Sequence, residues 1–406
     1  MRHDTFSPGR KTLFHETISN MGEQYLRDEL SRIEAAGNLR HLVPAAHEGC
    51  EIIIDGRRML NLSSNDYLGL GADKMLRKEF LAQLNPENLY MSSSSSRLLS
   101  GEFPVYGQVE TMLSRMFGKE AALVFNSGYH MNLGILPALA IGNTLIIADK
   151  LVHASIIDGI RLSGAEYCRF RHNDFSLLEN ILERSHRRFD RIIIVVESVY
   201  SMDGDTADLQ LICRLKARYG NVLIYVDEAH AFGVFGENGL GLAEAQGCLQ
   251  QTDIICGTFG KALASVGGFT VCSNAVRDIL VNRMRPFIFS TALPPVNWMW
   301  TAFMLDRMSG LKPLREHLSS ISLQLCNKLK NKGFKMVSES QIIPLVVGDS
   351  QAAVKLASAL RDRGFYALPV RPPTVPNGTS RIRFSLTANM SGEHIAALSE
   401  AIDELA

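Results

Sequence analysis

The chain has 406 residues, 46% of them hydrophobic and 21% charged, enough for a large core and in keeping with two domains. Lys+Arg and Asp+Glu are both 42, so no basic surplus points to nucleic acid or a membrane surface. Seven scattered cysteines form no Cys-x-x-Cys pair, which argues against a zinc ribbon or a disulfide framework and fits a reducing cytoplasm; no metal site is expected.

Residues 1–20 are polar, mixed in charge and without an apolar h-region, so they read as a loose extension and not as a secretory signal. No apolar run approaches the roughly 18 residues of a membrane span. Tyr25, Leu26, Leu30 and Ile33 give residues 23–36 a helical period. The runs 51–55 and 59–62 flank Gly56 and read as a hairpin. From about 105 to 290 helical segments alternate with short apolar runs at 121–125, 144–148, 191–196, 222–226, 254–256 and 268–272. Such runs predict strands buried on both faces of a mostly parallel sheet, an α/β fold. Pro294-Pro295 reads as a stop to regular structure. Beyond it helices near 296–332, a strand at 342–347, a helix at 351–363 and a strand at 381–386 predict a smaller α+β domain. The expected organisation is an N-terminal segment, 1–64, packing with the small domain, a large domain over 65–295, and the small domain over 296–406.

In open α/β sheets, sites gather at the carboxyl ends of strands. Asp227 ends the apolar run 222–226, and Lys261 follows 34 positions later in the turn Thr258-Phe259-Gly260-Lys261. An acid at a strand tip and a lysine in a Ser/Thr- and Gly-rich turn suit pyridoxal phosphate (PLP). The lysine forms the Schiff base, and the acid keeps the pyridine nitrogen protonated. Lys261 alone is weak evidence, because most Gly-Lys pairs are solvated turns. Thr258 adds a hydroxyl for a phosphate, while Ser127, Gly128 and Tyr129 follow a buried strand and open a helix whose free N–H groups suit a dianion. His153 follows another strand end and reads equally as a ring-stacking residue or as a helix-opening histidine without a ligand. His230, three residues past Asp227, reads alone as a structural histidine and in this company as a partner of coenzyme or substrate.

The letters Asp227-Glu228-Ala229-His230 also occur in helicases, but the phosphate-binding loop is missing: no glycine stands at 255, and Ala262 replaces the Ser/Thr that would hold magnesium. Gly239-Leu240-Gly241 follows no strand and reads as a turn. No Gly-x-Ser-x-Gly elbow supports a serine hydrolase. Near the C-terminus a Pro- and Gly-rich loop, 371–379, runs into Arg381-Ile382-Arg383. Side chains alternate along a strand, so both arginines share a face, and an arginine fork there suits an α-carboxylate. For Arg381 an exposed strand arginine is the favoured reading.

In order along the chain, Asn65-Asp66-Tyr67-Leu68-Gly69-Leu70, Glu197-Ser198-Val199-Tyr200-Ser201-Met202-Asp203-Gly204-Asp205, Val226-Asp227-Glu228-Ala229-His230, Thr258-Phe259-Gly260-Lys261 and Phe289-Ser290-Thr291 resemble the α-oxoamine synthases. The resemblance covers nearly the whole chain. It implies a fold-type I PLP-dependent transferase that condenses an amino acid with an acyl thioester and releases CO2, working as a homodimer. It further implies that Lys261 holds the coenzyme and serves as base, and that Asp227 pairs with the pyridine nitrogen. His230 and Ser201 would bond the phenolic oxygen, and His153 would stack on the ring. Gly128, Tyr129 and Thr258 would serve the phosphate, and Ser290 or Thr291 the partner subunit's phosphate. Arg383 matches the carboxylate arginine. Asn65, Arg371 and Thr374 match substrate contacts, and Arg40 an acyl-end arginine. The loop Arg371-Pro372-Pro373-Thr374-Val375-Pro376 looks most like the branch serving biotin synthesis, which implies L-alanine and a pimeloyl thioester of CoA or acyl carrier protein. Glycine with acetyl-CoA is the alternative. Two departures, the tract Ser92–Ser96 and Tyr106, bear on local packing and the acyl channel.

Overall fold

The computed structural model describes residues 9–405. Of the loose extension expected over 1–20, residues 1–8 lie outside the described residues. From Gly9 the chain is helical, so the helix expected at 23–36 starts much earlier, as α1 (Gly9–Ala35). A hairpin follows as β1 (Ala46–Glu48), β2 (Glu51–Ile54) and β3 (Arg57–Asn61), its first strand not foreseen. Next come α2 (Lys74–Ala82) and α3 (Pro104–Phe117).

The central sheet is built from β4 (Ala121–Phe125), β5 (Thr144–Asp149), β6 (Glu166–Phe170), β7 (Arg191–Glu197), β8 (Val222–Asp227), β9 (Ile254–Thr258) and β10 (Gly268–Cys272). Their order is β4-β10-β9-β8-β7-β5-β6, and β10 alone runs antiparallel to its neighbours. The apolar runs behave as period-2 strands covered on both sides. Leu145, Ile147, Ile192, Ile194 and Val196 enter one apolar cluster, while Ile146, Ala148, Ile193 and Val195 enter the other. The edge strand β6 escaped the sequence reading because it alternates Glu166, Cys168 and polar neighbours and stays largely exposed.

Two helices bring their N-termini to the carboxyl edge of this sheet: α4 (Gly128–Leu139) after β4 and α5 (Ala154–Ser163) after β5. Ser127 caps α4 through its side chain, which accepts the His130 N–H. The helices pack closely because Gly159 of α5 carries no side chain: a Cβ there would lie 2.3 Å from the Asn132 carbonyl oxygen of α4.

The remaining strands are β11 (Ile342–Gly348), β12 (Phe365–Tyr366), β13 (Pro369–Val370) and β14 (Ser380–Ser385). β11, β14 and β13 form a three-stranded sheet, and β12 joins the N-terminal hairpin by pairing in parallel with β3. Pro294-Pro295 does not stop regular structure. Pro295 opens the helix Pro295–Asp306, where a missing N–H costs nothing in the first turn. The serine tract and Tyr106 are accommodated: Ser93 Oγ donates to the Ala292 carbonyl at 2.7 Å, and the buried Tyr106 hydroxyl donates to that of Leu293 at 2.5 Å.

Gly159→Ala is expected to force α5 away from α4 and cost about 1–3 kcal/mol of stability, read as a lower midpoint in urea unfolding.

Candidate active site

β7 and β8 end side by side, with Glu197 paired in register to Asp227. Asp227 is 4% exposed, and such a carboxylate needs hydrogen-bond partners. Its Oδ2 accepts Asn132 Nδ2 from α4 at 2.8 Å, and its Oδ1 accepts the Ala229 N–H at 2.9 Å. The same Asn132 amide donates to Ser155 Oγ at 3.0 Å, and that hydroxyl lies 2.7 Å from His153 Nδ1. His153 is the N-cap of α5, so the helix-opening position and the place beside Asp227 coincide. Glu197 is also buried, and its Oε1 has no partner among the described residues. Burial, and then the charge of Asp227, hold its carboxyl well above the usual range.

Lys261 Nζ stands 2.9 Å from His230 Nε2, and His230 Nδ1 stands 2.6 Å from the Tyr67 hydroxyl. Burial drives the Lys261 ammonium down to about 8, against the opposing pull of Asp227 and Glu197. Burial, then the charges of Lys261 and Arg383, hold the His230 imidazole well below its ordinary range, so the ring is neutral at pH 7. Gln341 fixes its backbone by donating to the His230 carbonyl at 2.8 Å. Glu228, the other acid of the Asp-Glu-Ala-His run, serves elsewhere: it accepts the N–H groups of Leu242 and Ala243 at 2.9 and 2.7 Å.

Arg383 reaches the same group from β14. Its Nε donates to the Ser201 carbonyl at 2.6 Å, and its fork extends to Asn65 Oδ1 at 3.3 Å and the Tyr67 hydroxyl at 3.4 Å. Arg381 is not the exposed strand arginine expected from the pattern. It is 5% exposed and ion-paired with Asp203 of the turn that carries Ser201, a partner nearly 180 residues away in sequence.

Thr258 lies beside the start of α4: its Oγ1 donates to the Gly267 carbonyl at 2.9 Å, and a Cβ on Gly128 would meet Thr258 Cβ at 3.5 Å. Gly268 permits this approach, since a Cβ there would sit 3.0 Å from the Gly128 nitrogen. The N–H groups of Gly128 and Tyr129 open the helix and have no partner within it. The Tyr129 side chain turns to Asp158. Thr291 and Ser290 stand on the segment that adjoins β4, where Asn126 Nδ2 donates to the Thr291 carbonyl at 2.7 Å. Three further expected residues lie apart from the Lys261 group: Arg371 donates to the Gly37 carbonyl, while Thr374 and Arg40 are exposed. The contact with Gly37 sets the 371–376 loop against the segment that leads to Arg40.

Tyr67, Asn132 and Gln341 are not among the site residues expected from the sequence, whereas Glu197, at the end of an apolar run, is marked by its place at a strand tip. Asn132 carried a faint signal, a lone amide one turn after Gly128 in an otherwise apolar helix. Gln341 carried none.

A helix N-terminus with free N–H groups beside a threonine, a buried carboxylate and a lysine of lowered pKa fit PLP: phosphate, pyridine nitrogen and aldehyde each find a matching group. The class I and II aminotransferase family model matches residues 57–402. A Pasteurella multocida protein provisionally named 8-amino-7-oxononanoate synthase is 52% identical over 94% of this chain and 99% of its own length. Serine palmitoyltransferase from S. paucimobilis, solved with a bound PLP–myriocin aldimine, superposes with a TM-score of 0.85 at 31% identity over 95% of this chain and 98% of its own. 8-Amino-7-oxononanoate synthase from Francisella tularensis superposes at 0.72 with 25% identity, over 85% and 98%.

Only a neutral amine attacks an aldehyde, so capture of PLP by the coenzyme-free protein is expected to speed up as pH rises through about 8, where Lys261 loses its proton. Stopped-flow absorbance of PLP binding across that range checks this, and a rate flat with pH contradicts it. The chain belongs to the class I and II aminotransferase family and, within it, to the PLP-dependent α-oxoamine synthases.

Proposed function

We propose that this chain condenses L-alanine with a pimeloyl thioester, of CoA or acyl carrier protein, releasing CO2 and the free thiol and giving 8-amino-7-oxononanoate. The observation that carries the chemistry is the convergence of Lys261, His230, Tyr67 and Arg383 beside the paired strand ends of Glu197 and Asp227. The substrate pair is supported by the Pasteurella multocida relative's similarity over nearly the full length and by the loop at 371–376.

Bound PLP supplies the electron sink for the carbanion that forms at the α-carbon of the amino acid. Lys261 holds the coenzyme, and Asp227, fixed by Asn132, pairs with its pyridine nitrogen. His153 covers the ring. Ser201 and His230 face its phenolic oxygen. The opening N–H groups of α4 and the Thr258 hydroxyl take the phosphate, with Ser290 or Thr291 reaching that of the second subunit in a cytoplasmic homodimer. Arg383 clamps the substrate carboxylate, helped by Asn65, and so sets which bond at the α-carbon breaks. Lys261, as a neutral amine, takes the α-proton at Nζ, because burial has already removed most of the cost of deprotonating it. His230 receives or donates a hydrogen bond at Nε2 and is kept in one orientation by Tyr67 at Nδ1. Arg371, Thr374 and Arg40 line the acyl end.

Lys261→Ala is expected to abolish thiol release while the protein still folds. Full turnover in that variant would sink the assignment. The substrates are tested by crossing alanine or glycine with pimeloyl-CoA or acetyl-CoA. A single methyl is worth only about 1–3 kcal/mol of discrimination in an apolar pocket, so release should favour alanine with pimeloyl-CoA by a wide but finite margin. A preference for glycine with acetyl-CoA overturns the substrate pair and leaves the chemistry.

A further inference from the structure

We propose that His172 is a positioning residue that ties together the two loops bearing His153 and Ser201 and so holds the coenzyme site in register. The inference rests on the coenzyme placement above, and not on the choice of amino acid or acyl donor. His172 lies beyond β6, at the edge of the sheet and away from the strand tip that carries Asp227.

Both of its ring nitrogens face carboxylates. Nδ1 is 3.0 Å from Asp149 Oδ1, and Nε2 is 2.6 Å from Asp205 Oδ2. A neutral imidazole has one N–H and would turn a lone pair toward one of the two acids; only the imidazolium donates to both. Burial alone would disfavour that charge, but the hydrogen bonds to Asp149 and Asp205 outweigh it and raise the pKa to about 10.

Each acid holds a loop. Asp149, fully buried at the end of β5, also accepts the Leu151 N–H at 2.7 Å and so shapes the four-residue run into His153. Asp205 closes the turn after β7: its carbonyl accepts the Tyr200 N–H at 3.0 Å, and Thr206 bridges back to Val199. Ser201 sits inside that turn, which Arg381 and Arg383 grip from β14. His172 holds it through Asp205 and connects it, through Asp149, to the His153 loop. The Tyr200 ring meets the His172 ring edge-on at 4.3 Å, which fixes the plane of the imidazolium.

This network is not arranged for stability alone. Asp205 Oδ1, Asn173 Oδ1 and Tyr200 Oη are buried around the ring without a hydrogen-bond partner among the described residues, and each such atom costs free energy that an apolar cluster of the same shape would avoid. What the ionic tie adds over an apolar plug is fixed geometry at two loops.

The test uses the holoenzyme and compares His172→Phe and Asp205→Asn with the unaltered protein. The readouts are the PLP dissociation constant and the absorbance band of the lysine-bound coenzyme. Both variants are expected to bind PLP about 10- to 100-fold more weakly, the range for losing hydrogen bonds to charged groups, and to shift the band. The loss from His172→Phe is expected to shrink in a Ser201→Ala background, because part of it acts through Ser201. A lower melting temperature with PLP affinity and band unchanged would make His172 merely structural and overturn the inference. Full additivity with Ser201→Ala would do the same. Asp205→Asn keeps the size of the side chain and serves if His172→Phe does not fold. None of these readouts involves the amino acid or thioester, so a wrong substrate pair leaves the test intact.

Discussion

The site depends on keeping a carboxylate at the tip of β8 out of water. Asp227 can stay there only because Asn132 and a backbone N–H meet its two oxygens. Asn132 is itself held, its Oδ1 accepting the Tyr225 hydroxyl at 2.5 Å and its amide shared with Ser155. One amide therefore links β8 to α4 and α5. The two helices whose N-termini frame the site are set by the same hydrogen bonds that hold the acid. Gly159 allows the close approach of these helices, and Gly268 lets the start of α4 settle beside Thr258.

Burial then selects protonation states. Lys261 is brought toward the neutral amine, His230 is held neutral, and Glu197 is held toward the protonated acid. The shifts share one leading cause, desolvation, and each favours the uncharged form. A site prepared in this way has a base that loses its proton near pH 8, well below an ordinary lysine, and a Glu197 whose neutral form does not repel a dianionic coenzyme. Arg383 is the permanent positive charge of the site; its Nη1 donates to Ser385 Oγ at 2.7 Å, while Nη2 has only the long contacts to Asn65 and Tyr67, at 3.3 and 3.4 Å. A substrate carboxylate can displace those two long contacts. The firm bond to the Ser201 carbonyl aims the guanidinium meanwhile.

Much of this was legible in the sequence because it is local. Strands buried on both faces are written as apolar runs, and the residues that follow such runs lie at the carboxyl edge, which is how Asp227, Thr258 and the Ser127–Tyr129 turn could be read. What escaped is long-range. Tyr67 meets His230 across 163 positions and Gln341 meets it across 111, and no spacing rule joins them. Arg381 was misread for the same reason: an arginine on a strand with no visible partner looks solvated, while its acid waits in a distant turn. β6 was missed because an edge strand needs only one apolar face, and its alternation is too weak to stand out from polar sequence. A double proline reads as a stop, although the same chemistry opens a helix when Pro occupies the first turn.

The most direct test of the central claim, that Lys261 is the coenzyme lysine, is chemical. The PLP-loaded protein is reduced with borohydride, digested, and the pyridoxyl group located by mass spectrometry. The account requires the label on Lys261, in the peptide containing Thr258-Phe259-Gly260. A label on any other lysine, with Lys261 unmodified, would contradict it.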